Sequence, residues 1–278
     1  MEISTIDIKP SIERLLSTPT SRIEVNGYLS RGKINLVVNG EKEEWHSFKG
    51  GAREDAVNHQ GDTYEVLAKL GHDSMPEKWL KLVPPTTTHY NKLRKTLQQS
   101  FISGKVALKI AGMRHLAREF QECIVVKSSG LEKKAVYGFT SPHLGRTVES
   151  FLKEKIPPEE RKELLSFLAD VYGIAYKHAA TLFVREGVWM DDPNPGNILL
   201  HQSEDGIQVA LIDFANERQG NPAQRGNLSD EELREKVYSN PGSLFNKFGK
   251  QCAKHQIPFS VESEPVLEIV TSPSIRAL

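Results

Sequence analysis

The sequence predicts an α+β protein, strand-rich in its first half and helical in its second. Three observations carry this. Short apolar runs separated by turn residues fill 22–46 and 64–83. A long stretch has Leu164, Leu168, Val171, Ala175 and Ala179 at three- and four-residue steps, the period of a helix face. That stretch feeds directly into 187–217, GVWMDDPNPGNILLHQSEDGIQVALIDFANE, where two polar segments each border an apolar run.

Bulk properties narrow the function classes. A length of 278 residues fits one bilobal domain or two small ones. Lys plus Arg and Asp plus Glu both total 36, so the formal charge is zero. That argues against a chain built to coat nucleic acid or an anionic membrane. The two cysteines, Cys123 and Cys252, form no CxxC pair, which fits a reducing, cytoplasmic setting. The opening MEISTIDIKPSIERLL lacks the basic start and apolar core of a Sec signal. The most apolar long window, 164–184, contains Asp170, Lys177 and His178, too polar for a membrane span.

In chain order, residues 1–20 are expected as a short helix over Ser11–Leu16 or as a mobile arm. Arg22–Ser30 and Lys33–Val38 are expected as hairpin strands, with turns at Arg31-Gly32 and Asn39-Gly40. The Gly-rich stretch 47–62 reads as a linker. Tyr64–Leu70 and Lys78–Val83 read as strands and Asn91–Phe101 as a helix. Ser103-Gly104 is then expected to turn into a strand, KVALKIA, with Lys109 as its central charge. Met113–Glu122 reads as helix, and Cys123–Val126 with Ala135–Phe139 as two strands. Thr147 is placed to cap a helix over Val148–Lys155. Ser229 and Glu232 have capping-box spacing at the start of another helix, and Leu244–His255 reads as one more. From Ser260 an extended tail is expected.

The polar hairpin carries the chemistry. Loop, strand, turn, strand, loop would bring Asp192, Asn197 and Asp213 to one end of a strand pair. Oxygen-bearing side chains gathered there suit a hard divalent cation such as Mg²⁺. A calcium loop of the EF-hand type fails, because Gly196 is one position early and no Glu closes the loop.

From about Tyr64 to Glu217 the order of landmarks resembles the protein-kinase-like superfamily. KVALK resembles the kinase strand whose lysine holds nucleotide phosphates, and Glu119 stands where its ion-pair partner would be. Asp192 and Asn197 match the D-x-x-x-x-N spacing of a catalytic loop. Asp213-Phe214-Ala215 stands in the place of the Asp-Phe-Gly metal motif. The Pro195-Gly196-Asn197 ending looks more like aminoglycoside-phosphotransferase-like and ABC1-like atypical kinases. The resemblance implies a bilobal fold: an N-terminal extension over 1–62, a strand-rich N-lobe over 63–139 and a reduced helical C-lobe over 140–278. It implies ATP and Mg²⁺ as cofactors, Asp192 as the catalytic base, Lys109 and Glu119 in nucleotide binding, and Asn197 and Asp213 as metal ligands.

The sequence also departs from the kinase pattern. Met190-Asp191 replaces the usual His-Arg, Asn194 replaces the usual lysine, and Ala215 replaces a glycine. The phosphate-covering segment 71–76 has a single glycine, and about sixty residues follow Asp213. Such trimming is similar to that of bacterial effector kinases, for which the setting would be a host cytoplasm. The implied acceptor is Ser or Thr of a protein substrate. A small-molecule kinase, a partner-binding pseudokinase and an AMP-transferring enzyme are the alternatives. Lys81, in WLKLV, competes with Lys109 for the phosphate-binding role.

Overall fold

The computed structural model describes residues 6, 10–17, 29–48, 64–71, 76–84, 90–129, 132–203, 206–214 and 228–260. The chain is mixed α and β and forms two compact units. One comprises Pro19–Ile102 and His115–His143, the other Met1–Thr18, Ser103–Arg114 and Leu144–Leu278. No described helix is long and apolar enough to cross a membrane.

The first unit is a six-stranded antiparallel barrel. Its strands are β1 (Leu29–Val38), β2 (Glu41–Phe48), β3 (Glu65–Leu70), β4 (Pro76–Leu82), β5 (Gln121–Ser129) and β6 (Glu132–Pro142). Their order is β1-β2-β3-β4-β6-β5, and β1 closes the barrel on β5. Alternate residues fill the interior, as a closed sheet requires. Trp45, Leu67, Leu80, Leu82 and Val125 are fully buried there. Trp45 donates its indole N–H to Glu43, which also takes Lys69 at 3.1 Å. Lys127 pairs with Glu65 at 2.5 Å across β5 and β3. These part-buried polar groups are thus paired within the sheet. The expected turn at Arg31-Gly32 is absent: β1 runs through it with a register shift between Leu29 and Lys33. The hairpin assigned to an N-terminal extension is thus part of the barrel itself.

A helix, α2 (Tyr90–Ile110), overturns the expected strand at KVALKIA. The physical reason lies in spacing. Leu93, Leu97, Phe101, Leu108 and Ala111 are all buried, and their separations of three, four and seven keep one helical face inward. A single Gly104 costs roughly 1 kcal/mol in a helix, too little to end one with a continuous apolar face. Helix α3 (Arg114–Glu119) follows; Phe120 stacks on Phe139 at 6.0 Å, and Phe101 meets both rings at tilted angles, 5.6 and 6.5 Å away.

The second unit is built on one long helix, α5 (Pro158–Glu186). It is preceded by β7 (Arg146–Thr147) and α4 (Val148–Leu152), and Thr147 caps α4 through Ser150 N. The first half of α5 buries one stripe. From Ala179 to Val184 every residue is buried, so its second half is a core helix. Strands β8 (Ile198–Ser203) and β9 (Gly206–Leu211) form the expected hairpin, and β7 pairs with β8. Gly145 has φ +114°, and a Cβ there would run into the Leu200 carbonyl, so only glycine lets β7 approach β8. Helix α6 (Asp230–Arg234) starts with the expected capping box and continues as one π turn, Glu235–Ser239. Helix α7 (Leu244–Lys254) packs Phe248 edge-on against Tyr172 and Tyr176 of α5. A short α1 (Pro10–Ser17) ties Arg14 to Glu160 on α5 at 2.7 Å. The expected strand at 22–28, most of the 47–62 linker and the tail after Ser260 lie outside the described residues.

His178 ties α5 to the hairpin through Nδ1, 3.0 Å from the Val209 carbonyl. Burial holds the imidazole near pKa 4, below its usual 6.5. The unfolded chain therefore binds one more proton between those values, and stability falls as pH drops through that window. Urea unfolding should lose about 1–3 kcal/mol between pH 6.5 and 4, partial exposure of the ring keeping it below the full shift. His178→Asn should flatten that slope.

Candidate active site

The candidate site starts where α5 ends. Gly187 takes the left-handed conformation at φ 68° and returns its N–H to the Phe183 carbonyl at 2.9 Å, while Val188 N–H reaches Leu182. This double closure stops the helix at a fixed point. The loop that leaves it is anchored at intervals. Val188, Met190, Pro193 and Pro195 are buried, and Trp189 packs edge-on against Phe183 at 4.9 Å. Asp192 is left exposed, between half-buried Asp191 and buried Pro193.

Asn194 organises the next turn. Its Oδ1 accepts Gly196 N–H at 2.8 Å, capping the 3₁₀ turn Pro195–Asn197. Its Nδ2 donates to Asp192 Oδ2 at 2.7 Å, so one carboxylate oxygen is braced. A Cβ at Gly196 would lie 3.0 Å from Asn194 Oδ1 and 3.2 Å from Glu149 Oε2, so these side chains would have to shift slightly. Asn197 then donates Nδ2 to the Asp192 carbonyl at 3.0 Å. With its amide nitrogen committed, Asn197 has Oδ1 as its remaining ligand atom.

The hairpin brings the second acidic loop to the first. Ile198 pairs with Leu211, and one step beyond that pair Ile212 N–H donates to the Asn197 carbonyl at 3.0 Å. Asp213 follows directly, at φ 60°. Asp tolerates this left-handed backbone better than most residues. Phe214 returns to the core while Asp213 stays exposed. Asp192, Asn197 and Asp213 are thus joined by one short relay of hydrogen bonds and covalent neighbours.

The donor set is carboxylate and amide oxygen, which suits a hard cation. Among the described residues no three His, Cys, Asp or Glu gather at one point. Mg²⁺ needs no such cage, since it usually keeps waters and takes one or two carboxylates plus substrate phosphates.

The other expected residues fall elsewhere. Lys109 is exposed in the last turn of α2, so the strand setting that suggested it is gone. Glu119 is the exposed last residue of α3. Lys81 is on β4, between β3 and β6, with Val66 and Phe139 as its cross-strand neighbours. Leu80 and Leu82 point into the barrel, so Lys81 is on the outer face. It is half-buried, and its Nζ lies 5.0 Å from the Tyr64 ring centre. The phosphate-covering segment at 72–75 and Ala215 lie outside the described residues. Sequence reasoning missed the braces: Asn194, whose Asn-Pro order is a legible turn signal, and Lys247 of α7, which bonds Asp191 from 56 positions away and leaves no local signal.

No family profile matches the chain, and no curated protein matches it. Among solved structures it is similar to a mutant of the Mycobacterium tuberculosis PknI kinase domain. Identity there is 14%, over 84% of this chain and 89% of that one, with a TM-score of 0.38. It is similar to the ROP18 kinase domain in complex with AMP-PNP and sucrose at 15%, covering 98% and 85%, with a TM-score of 0.42. A Toxoplasma gondii specific rhoptry antigen kinase domain is similar at 13%, covering 97% and 86%, with a TM-score of 0.41.

Removing the Asn194 brace should loosen this turn. Asn194→Ala loses the cap and the bond to Asp192, and we expect about 1 kcal/mol less stability by urea unfolding.

Proposed function

We propose that the protein is an ATP- and Mg²⁺-dependent phosphotransferase that delivers the γ-phosphate to a hydroxyl. The observation that carries this reading is the relay from Asp192 through Asn197 and Ile212 to Asp213. A base, an amide ligand and a carboxylate ligand at one end of a hairpin, at D-x-x-x-x-N spacing, are what phosphoryl transfer asks of a protein, because positioning and charge neutralisation do most of the work.

In this reading Asp192 orients the acceptor hydroxyl and takes its proton, with the Asn194 bond fixing which carboxylate oxygen is engaged. Asn197 Oδ1 and the Asp213 carboxylate would hold Mg²⁺, which when bound supplies charge neutralisation at the phosphate oxygens. Lys81, rather than Lys109, is the phosphate-binding cation in this proposal, supported by its strand and its apolar neighbours. The preferred acceptor in this proposal is Ser or Thr of a protein.

Two outcomes test the assignment. With labelled ATP and Mg²⁺, Asp192→Ala should lower phosphotransfer about 10²- to 10⁴-fold, the usual share of a positioned base. Transfer that survives it overturns Asp192 as base. Lys81→Met should raise the Kd for Mg-ATP, measured by thermal shift, while Lys109→Met leaves it unchanged; the reverse pattern returns the role to Lys109. At 100 times its Kd, bound nucleotide should stabilise the chain by about 2.7 kcal/mol, and no shift at saturation would favour the pseudokinase.

A further inference from the structure

We propose that Lys247 is a positioning residue for Asp192, holding the peptide that carries it. The inference deepens the phosphotransferase reading and rests on it for its catalytic consequence. Its structural part stands on separate observations.

Lys247 lies one turn into α7, and its backbone N–H donates to the Ser243 carbonyl at 3.1 Å. Ser243 caps the helix through Asn246 N–H and is itself fully buried. Asn246 Nδ2 donates to the Asn240 carbonyl at 2.7 Å. The start of α7 is therefore fixed, and Phe248 locks the next position against Tyr172 and Tyr176.

From that base the Lys247 ammonium reaches two oxygens of one residue. It pairs with Asp191 Oδ1 and also donates to the Asp191 carbonyl at 3.2 Å. Its Nζ also lies 5.6 Å from the Trp189 ring centre. The second bond is the telling one. A peptide unit is planar, and the Asp191 carbonyl shares its plane with the N–H and Cα of Asp192. Holding that oxygen therefore sets the plane from which Asp192 departs. Asn197 holds the next carbonyl along, that of Asp192, at 3.0 Å. Consecutive peptide planes on either side of Asp192 are thus gripped, one by α7 and one by the turn before β8.

The pair also accounts for a departure in the sequence. Where kinases usually carry His-Arg, this chain has Met190, which is 1% exposed in the core, and Asp191. The loop receives its cation from Lys247 instead of supplying one. Exposed ion pairs contribute little, but here both side chains are only about a quarter exposed (26% and 30%) and the contact has two acceptors and an aromatic face.

The test uses the full chain, with Mg-ATP as probe and ADP release as readout, alongside amide hydrogen exchange over 188–193. Lys247→Met keeps the aliphatic stem and removes the charge. A loop displaced by about 1 Å should lower kcat about 10- to 100-fold, with the KM for ATP within about twofold, since no ground-state contact is removed. Exchange over 188–193 should rise about tenfold while that of α5 stays put. Lys247→Arg should recover most of both, because a guanidinium can still serve two acceptors. Unchanged exchange, or unchanged kcat in an active enzyme, overturns the proposal. If the wild-type chain itself releases no ADP, the phosphotransferase reading has failed separately, and exchange alone then decides whether Lys247 holds the loop. Should Lys247→Met not fold, Asp191→Asn breaks the same pair from the other side and is read by the same two measurements.

Discussion

The end of α5 is the constraint on which the rest of the second unit depends. Ala179 to Val184 are all buried, so the helix is held in the core almost to its end, where Arg185 is half-buried and Glu186 exposed. The left-handed Gly187 then closes the final carbonyls. A loop leaving a frayed end would inherit that motion. This one leaves a fixed point and re-enters the core at Val188 and Met190 before reaching Asp192. An exposed carboxylate on an anchored backbone combines access with position, and neither burial nor exposure alone would give both.

The hairpin extends that order to the second acidic loop. Ile198, Leu199 and Leu200 of β8 and Ile207, Val209, Ala210 and Leu211 of β9 are all buried. The register is observed directly: β7 pairs with β8, and β8 pairs with β9 from Ile198–Leu211 to Ser203–Gly206. The register is what brings Ile212, and hence Asp213, beside Asn197. The polar residues are carried at the end of an apolar ladder. The residues around Asp192 are held from two sides. Met190 becomes core, and Asn194 braces the Asp192 carboxylate and caps a turn.

Helix α2 shows how an apolar run can mislead. KVALKIA, read alone, has the length and composition of a buried strand, and short apolar runs do not distinguish helix from strand. The face shared by Leu93, Leu97, Phe101 and Leu108 settles it, but that face emerges only when the run is joined to the helix before it. The cost of misreading fell on Lys109. In Lys81 the same ambiguity resolved the other way, because β3 and β6 flank WLKLV on both sides. The two cysteines belong to these cores as well. Burial raises Cys123 to about 11 and Cys252 to about 12, so both remain protonated thiols at neutral pH.

Local chemistry was legible in the sequence. The capping box at Ser229, the cap at Thr147, the long periodic helix and the loop–strand–strand–loop order at 187–214 are all contacts within a few residues, and their signals are spacing and residue type. Asp192, Asn197 and Asp213 could be grouped because one short hairpin connects them. Tertiary structure decided the long-range pairings. It joined β1 to β5 and so drew the N-terminal hairpin into the barrel. It assigned Lys81 and Lys109 to strand and helix, and it set Lys247 against Asp191 across 56 positions. Such contacts are selected by which faces the whole chain can bury at once, and no single stretch of sequence contains that information.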